Sequence, residues 1–244
     1  MLDVLLKAIS MLREQGWWLL VVVILVGGAV SGFAELADEV ADGETHAFDR
    51  AVMLSMREAG KPDEPAGPAW IELVARDITS LGGTAVLTLI TLATVGFMLM
   101  NRRWGGAIFV AVSVAGGSLI STGLKHLFDR PRPDLVPHAV EVTSASFPSG
   151  HAMLAMATYL TLGALLAEIQ PRRRFKVYIL SWAIGLSLLV GLSRVYLGVH
   201  WPTDVLAGWC IGSAWALVCG TVAYWLQRRG VIETGADVVR DSRR

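Results

Sequence analysis

The chain has 244 residues, 54% of them hydrophobic and only 17% charged, with a mean hydropathy of +0.53. Soluble domains carry about 25% charged and about 45–50% apolar residues, and so large an apolar surplus exceeds what one water-soluble globule of this size can bury. The 21 basic and 21 acidic residues cancel, so no global field recruits a polyanion. A soluble enzyme, a disordered chain and a nucleic-acid binder are excluded, and an all-α polytopic membrane protein is expected.

Six stretches lack Asp, Glu, Lys and Arg: 16–34, 78–101, 104–124, 142–167, 177–193 and 205–227. Each is close to the roughly 17–25 residues that cross a bilayer as a helix. The spacing predicts spans over about 16–34, 84–101, 104–125, 149–168, 176–194 and 203–227. The fourth is trimmed because Ser144, Ser146 and Pro148 read as loop, and the fifth recruits residues beyond its charge-free limits. Residues 1–34 share some marks of a signal peptide, but Asp3, Glu14 and the long apolar run favour a retained first span.

Residues 35–83 form one long acidic connection. Ala47, Phe48, Ala51, Val52, Leu54 and Met56, set against His46, Asp49, Arg50, Ser55 and Arg57, predict a short amphipathic helix at the interface. Glu64–Gly67, near Pro62 and Pro65, is a break, and Trp70, Leu73 and Val74 begin a second short helix. A connection this long is a candidate gate for lipid entry. Trp17, Trp18, Trp104 and Trp225 suit one membrane interface, Trp70 and Trp201 the other. Gly116, Gly117, Gly185, Gly208 and Gly212 suit close helix contacts. Cys210 and Cys219, nine positions apart on one helix, point to opposite faces and form no mutual disulfide.

An even number of spans puts both termini on one side. The termini and the segments 101–104 and 168–176 hold 13 basic and 6 acidic residues, against 8 and 15 on the opposite side. Lys and Arg in short loops favour the cytoplasm, so both termini are expected there, with a bacterial inner membrane as the setting.

The costly residues are ionisable groups at span ends, which are functional candidates by default. Lys125 ends the third span, with Arg130 and Arg132 after it. Pro148-Ser149-Gly150-His151 opens the fourth, Ser193-Arg194 closes the fifth, and His200 and Asp204 open the sixth. Alternating direction brings all four segments to the outer, periplasmic or extracellular, face. Two Arg and one Lys suit phosphate oxygens. Ser149 and Gly150 stand where a helix start offers N–H groups and a favourable dipole to the same anion. Asp204 can hold the His200 imidazole and stabilise its cationic form, making its other nitrogen a nucleophile, while His151 can protonate a leaving oxygen. Taken singly, each has a plainer reading: a snorkelling cation, a first-turn carboxylate, a polar helix start. Their joint occurrence on one face points to phosphoryl transfer. Ser193 reads as a packing hydroxyl; Arg130, Asp129, His126, His138 and His46 read as structural or interfacial, with a lipid headgroup as a further option for Arg130.

Lys125-x6-Arg132-Pro133, Pro148-Ser149-Gly150-His151 and Ser193-Arg194-x5-His200-x3-Asp204 resemble the three signature motifs of type 2 phosphatidic acid phosphatases, complete and in order over residues 125–204. The resemblance implies a single six-helix membrane phosphatase domain over 1–244, working without metal or cofactor through a phosphohistidine. It implies Lys125, Arg132, Ser149, Gly150 and Arg194 on the phosphate, His151 as acid, His200 as nucleophile and Asp204 as its partner. The implied substrate is a lipid phosphate or diphosphate: an isoprenyl diphosphate, phosphatidate, phosphatidylglycerophosphate or a lipid A phosphate. Vanadate-dependent haloperoxidases carry the same motifs, but six spans separate this chain from that soluble branch. A lipid phosphotransferase would use the same residues, and an anion or lipid-phosphate transporter is the non-enzymatic alternative, disfavoured because transporters carry such charges near mid-membrane.

Overall fold

The computed structural model describes residues 2–136 and 144–233, with side chains from residue 16 onward. His138, Arg240, Arg243 and Arg244 lie outside the described residues, and the side chains of Lys7 and Arg13 are likewise outside them. The order along the chain is α1 (Leu2–Asp42), α2 (His46–Ser55), β1 (Arg57–Glu58), β2 (Lys61–Pro65), α3 (Ala69–Ser80), α4 (Thr84–Met100), α5 (Trp104–Phe128), α6 (Gly150–Glu168), α7 (Arg173–Tyr196) and α8 (Pro202–Arg228).

Among the described residues, five helical segments are long and apolar enough to cross a membrane: Gly16–Asp42 within α1, and α5, α6, α7 and α8. The sixth span is a bent pair, α3 and α4 meeting at 48°. The bend falls at Leu81-Gly82-Gly83, where the hydroxyl of Tyr159 in α6 donates to the Leu81 carbonyl at 2.7 Å. A Cβ on Gly82 would lie 2.3 Å from Val190 in α7 and 3.2 Å from the His151 carbonyl. The elbow therefore needs glycine to pass this close to α6 and α7. The fifth predicted span does recruit its flanks, from Arg173 to Tyr196.

Helix α6 is central and packs on α5, α7 and α8, while α1 lies against α8, α4 against α5, and α3 against α7. Small residues set these approaches. Cβ atoms on Gly208 and Gly212 would stand 2.7 Å from the Ser149 carbonyl and 2.6 Å from the Met153 carbonyl, so α8 meets α6 backbone to backbone. Gly116 and Gly117 of α5 lie under the Trp215 ring, whose Nε1 donates to the Ser113 carbonyl at 2.8 Å. Gly185 meets nothing within 4 Å, so its expected packing role is corrected. Both cysteines are free thiols.

The connection departs most from expectation. It begins at residue 43, because α1 continues two turns beyond the apolar run through Glu35, Asp38, Glu39 and Asp42, where no burial penalises charge. Its break is a small antiparallel hairpin pairing Arg57 with Pro65 and Glu58 with Lys61. In α2 the expected faces hold only in part: His46, Arg50 and Ser55 are exposed and Val52 and Leu54 half-buried, as expected. Phe48 is exposed, while Asp49 and Met53 are fully buried, because Asp49 finds a buried cation, described below. Trp201 is likewise no interfacial anchor: it is buried, donating from Nε1 to the Pro131 carbonyl at 3.1 Å.

Candidate active site

The C-terminal ends of α5 and α7 and the N-terminal ends of α4, α6 and α8 meet at one end of the bundle. They enclose a cavity of about 1150 Å³. Lys125, Arg132, Gly150, His151, Arg194 and His200 line it, with Thr79, Gly82 and Gly83 from the end of α3 and the elbow before α4. Ser149 and Asp204 do not line it; both are fully buried behind it.

Each cation reaches the cavity from a different element. Lys125, in the last turn of α5, donates from Nζ to Ser144 Oγ at 3.0 Å and to the Ala145 carbonyl at 2.9 Å. Arg132 leaves the rigid Pro131–Pro133 loop and donates from Nε to the Ser144 carbonyl and from Nη1 to the Val199 carbonyl, both at 2.7 Å. Burial pulls its guanidinium below its usual value, with Asp204 opposing; so strong a base stays charged. Arg194 is buried in the last turn of α7. Its Nη1 donates to Thr79 Oγ1 at 3.1 Å, and its Nε has no partner among the described residues, leaving a buried donor for an anion.

Gly150 begins α6, and a Cβ there would stand 3.3 Å from Ser121 Oγ and 3.4 Å from Lys125 Cε. Its lack of a side chain leaves room for the lysine stem beside the helix start. Ser149 is the N-cap, its Oγ 3.5 Å from the Ala152 nitrogen. Its own N–H donates to the Asp204 carbonyl at 2.9 Å. The serine thus joins α6 to α8, and its main-chain donor is already engaged.

His200 lies in the loop before α8 and is almost completely buried. Its Nδ1 is 3.3 Å from Asp204 Oδ2, and its Nε2 is 3.2 Å from Arg132 Nη1. Asp204, in the first turn of α8, also accepts from the Trp201 N–H at 2.9 Å. This cap turns the 200–204 segment so that carboxylate and ring meet. Burial pushes the imidazole down to about 3, against the opposing pull of Asp204 and with Arg194 and Arg132 adding to the fall. The ring is neutral at neutral pH, which a nitrogen nucleophile requires.

Four residues around Asp204 escaped the sequence reading. Ser146 donates from Oγ to Asp204 Oδ2, and its oxygen lies 3.3 Å from His200 Nδ1. Arg130 is buried; it donates to Asp204 Oδ1 at 2.6 Å and to Asp49 Oδ2 at 2.8 Å, which removes the lipid-headgroup option. Thr203 and Asp49 complete the set, with the Thr203 N–H donating to Asp49 Oδ1 at 2.9 Å. Only Arg130 carried a signal, as a third cation between Lys125 and Arg132. Asp49, more than 80 residues earlier on a surface-like helix, carried none.

Residues 106–228, half of the chain, match the model of the PAP2 superfamily. A phosphatidylglycerophosphatase B from Bacillus subtilis is 37% identical over 59% of this chain and 70% of that protein. A lipid A 1-phosphatase from Rhizobium etli is 28% identical over 66% of this chain and 76% of that one. Among solved structures, a transmembrane PAP2 type phosphatidylglycerolphosphate phosphatase from Bacillus subtilis superposes with a TM-score of 0.72 at 27% identity, covering 82% of this chain and 96% of that one. The motifs, the helical frame and these likenesses agree: the chain belongs to the PAP2 superfamily, as an integral-membrane phosphatase of that family.

Proposed function

We propose that this protein hydrolyses a lipid phosphomonoester or diphosphate through a phosphohistidine on His200, in one domain spanning 1–244, with the site on the outer face of a bacterial inner membrane and both termini cytoplasmic. The observation that carries the reading is the seating of His200. His200 lines a cavity that Lys125, Arg132, Arg194 and His151 share, with Nε2 beside Arg132 and Asp204 backing Nδ1.

The phosphate enters with its equatorial oxygens against Lys125, Arg132, Arg194 and the start of α6 at Gly150, with Ser149 capping that helix behind it. Nε2 attacks phosphorus as the bond to the lipid oxygen breaks, and His151 gives that oxygen a proton. The new imidazolium keeps its Nδ1 proton, directed at Asp204. Water then attacks phosphorus, returning a proton to His151, and the P–N bond breaks to release inorganic phosphate and restore His200. Arranging charge where it develops is the main source of acceleration in phosphoryl transfer.

The relatives' named substrates supply the test panel: a phosphatidylglycerophosphate and a lipid A 1-phosphate, with phosphatidate and an isoprenyl diphosphate beside them. Purified protein in detergent should release inorganic phosphate from at least one. Alkaline quenching of radiolabelled substrate, which preserves the P–N bond, should recover label on His200. Normal turnover by His200→Ala would refute the reading, and label on His151 would refute its assignment of the two histidines.

A further inference from the structure

Asp204 is not held by His200 alone. Its Oδ2 receives Ser146, Trp201 and the His200 ring, while its Oδ1 receives Arg130 at 2.6 Å. The other arm of Arg130 reaches Asp49 Oδ2 at 2.8 Å and Thr45 Oγ1 at 3.1 Å. Thr203 closes the ring: its Oγ1 accepts from Arg130 at 2.9 Å and donates to Asp49 at 2.8 Å. All of these side chains are buried, and neither Arg130 nor Asp49 lines the cavity.

We propose that Arg130 and Asp49 are positioning residues that orient Asp204, and through it the nucleophilic ring of His200. The inference rests on the reading of His200 as nucleophile. A fully buried carboxylate without its cation leaves a strongly disfavoured charge, so Asp204 needs Arg130. Bound to Arg130 alone, however, its charge would be spent on the guanidinium, leaving little for an imidazolium. Asp49 divides the pull. Two carboxylates and one guanidinium leave one net negative charge beside a neutral ring, and the set becomes balanced when His200 turns cationic on attack. Because Asp49 belongs to α2, this also ties the nucleophile to a helix outside the membrane-spanning segments.

Asp49→Asn is isosteric and keeps an acceptor for Thr203; Arg130→Lys keeps a cation but loses the fork. Groups that hydrogen-bond behind a metal-binding imidazole are worth about 10–100-fold, and the same scale is expected here. Both variants should lose that much kcat, with KM and inhibition by inorganic phosphate unchanged, since neither residue touches substrate. The ¹⁵N spectrum of the His200 ring should shift from one tautomer toward a mixture. Thr203→Val, which removes only the bridging hydroxyl, should lose less in the same direction and decides the matter if the charge variants do not fold. Wild-type kcat in a folded variant, or a loss confined to KM, would overturn the inference. His200→Ala separates the two readings. Turnover without His200 refutes the nucleophile, whereas an inactive His200→Ala beside a fully active Asp49→Asn refutes this inference alone.

Discussion

Nη1 of Arg132 lies 3.2 Å from Nε2 of His200. A guanidinium only donates, so Nε2 carries the lone pair and Nδ1 the proton, which points at Asp204. With the ring's folded pKa pushed by burial to about 3, the ¹⁵N spectrum should show a single neutral Nδ1–H tautomer from pH 8 down to pH 5. The unfolded ring titrates near 6.5, so between about 6.5 and 3 the unfolded chain binds the extra proton. The contribution of this residue to stability is therefore full above about pH 6.5 and declines on acidification, by up to about 1.4 kcal/mol per pH unit. A His200 signal titrating near 6.5 in folded protein would contradict this.

His151 should matter in proportion to how badly the leaving group needs a proton. General acid assistance is worth roughly 10²–10⁴-fold, so His151→Ala should lose that much on a lipid alkyl phosphate and far less on an activated aryl phosphate. Equal losses on both esters would remove His151 from the acid step.

Activity should survive chelation. Lys125, Arg132 and Arg194 provide the phosphate's counter-charge, and among the described residues no group of three His, Cys, Asp or Glu side chains is placed to hold a metal. Turnover abolished by a chelator and restored by one particular divalent ion would reject metal-independence.

Gly208→Ala should destabilise the protein by about 1–3 kcal/mol, the usual cost of adding a methyl to a filled core. The new Cβ would stand 2.7 Å from the Ser149 carbonyl, backbone that cannot turn aside. Gly185→Ala, with open space around it, should leave the melting temperature unchanged or raise it. Thermal unfolding in detergent measures both.

The buried setting of Arg130 makes it unsuitable for topology labelling, whereas Asp134 on the same loop is exposed. In a Cys210→Ala/Cys219→Ala background, Asp134→Cys should react with an impermeant thiol reagent in intact cells. Arg173→Cys, on the basic side, should react only after lysis. The reverse pattern would invert the orientation.

The span map and the cluster at the ends of α5, α6, α7 and α8 were legible in the residues, because lipid penalises every charge inside it. Charge-free stretches mark the spans, and alternating direction then assigns Lys125, His151, Arg194 and His200 to one face without any packing information. Tertiary structure decided the rest. Asp49 and Trp201 look like surface residues by local pattern, yet both are buried: the cost of enclosing Asp49 is offset by Arg130, arriving from a segment 81 residues away, together with Thr203, and the Trp201 ring donates to the Pro131 carbonyl. Ser149 and Asp204 belong to the motifs but stand behind the cavity, since each is held by the main chain at a helix start. A sequence records which groups can ionise or donate; whether a given group meets substrate or steadies its neighbour depends on which helices pack together. In this bundle that is decided by glycines such as Gly82 and Gly208, at contacts too close for any side chain.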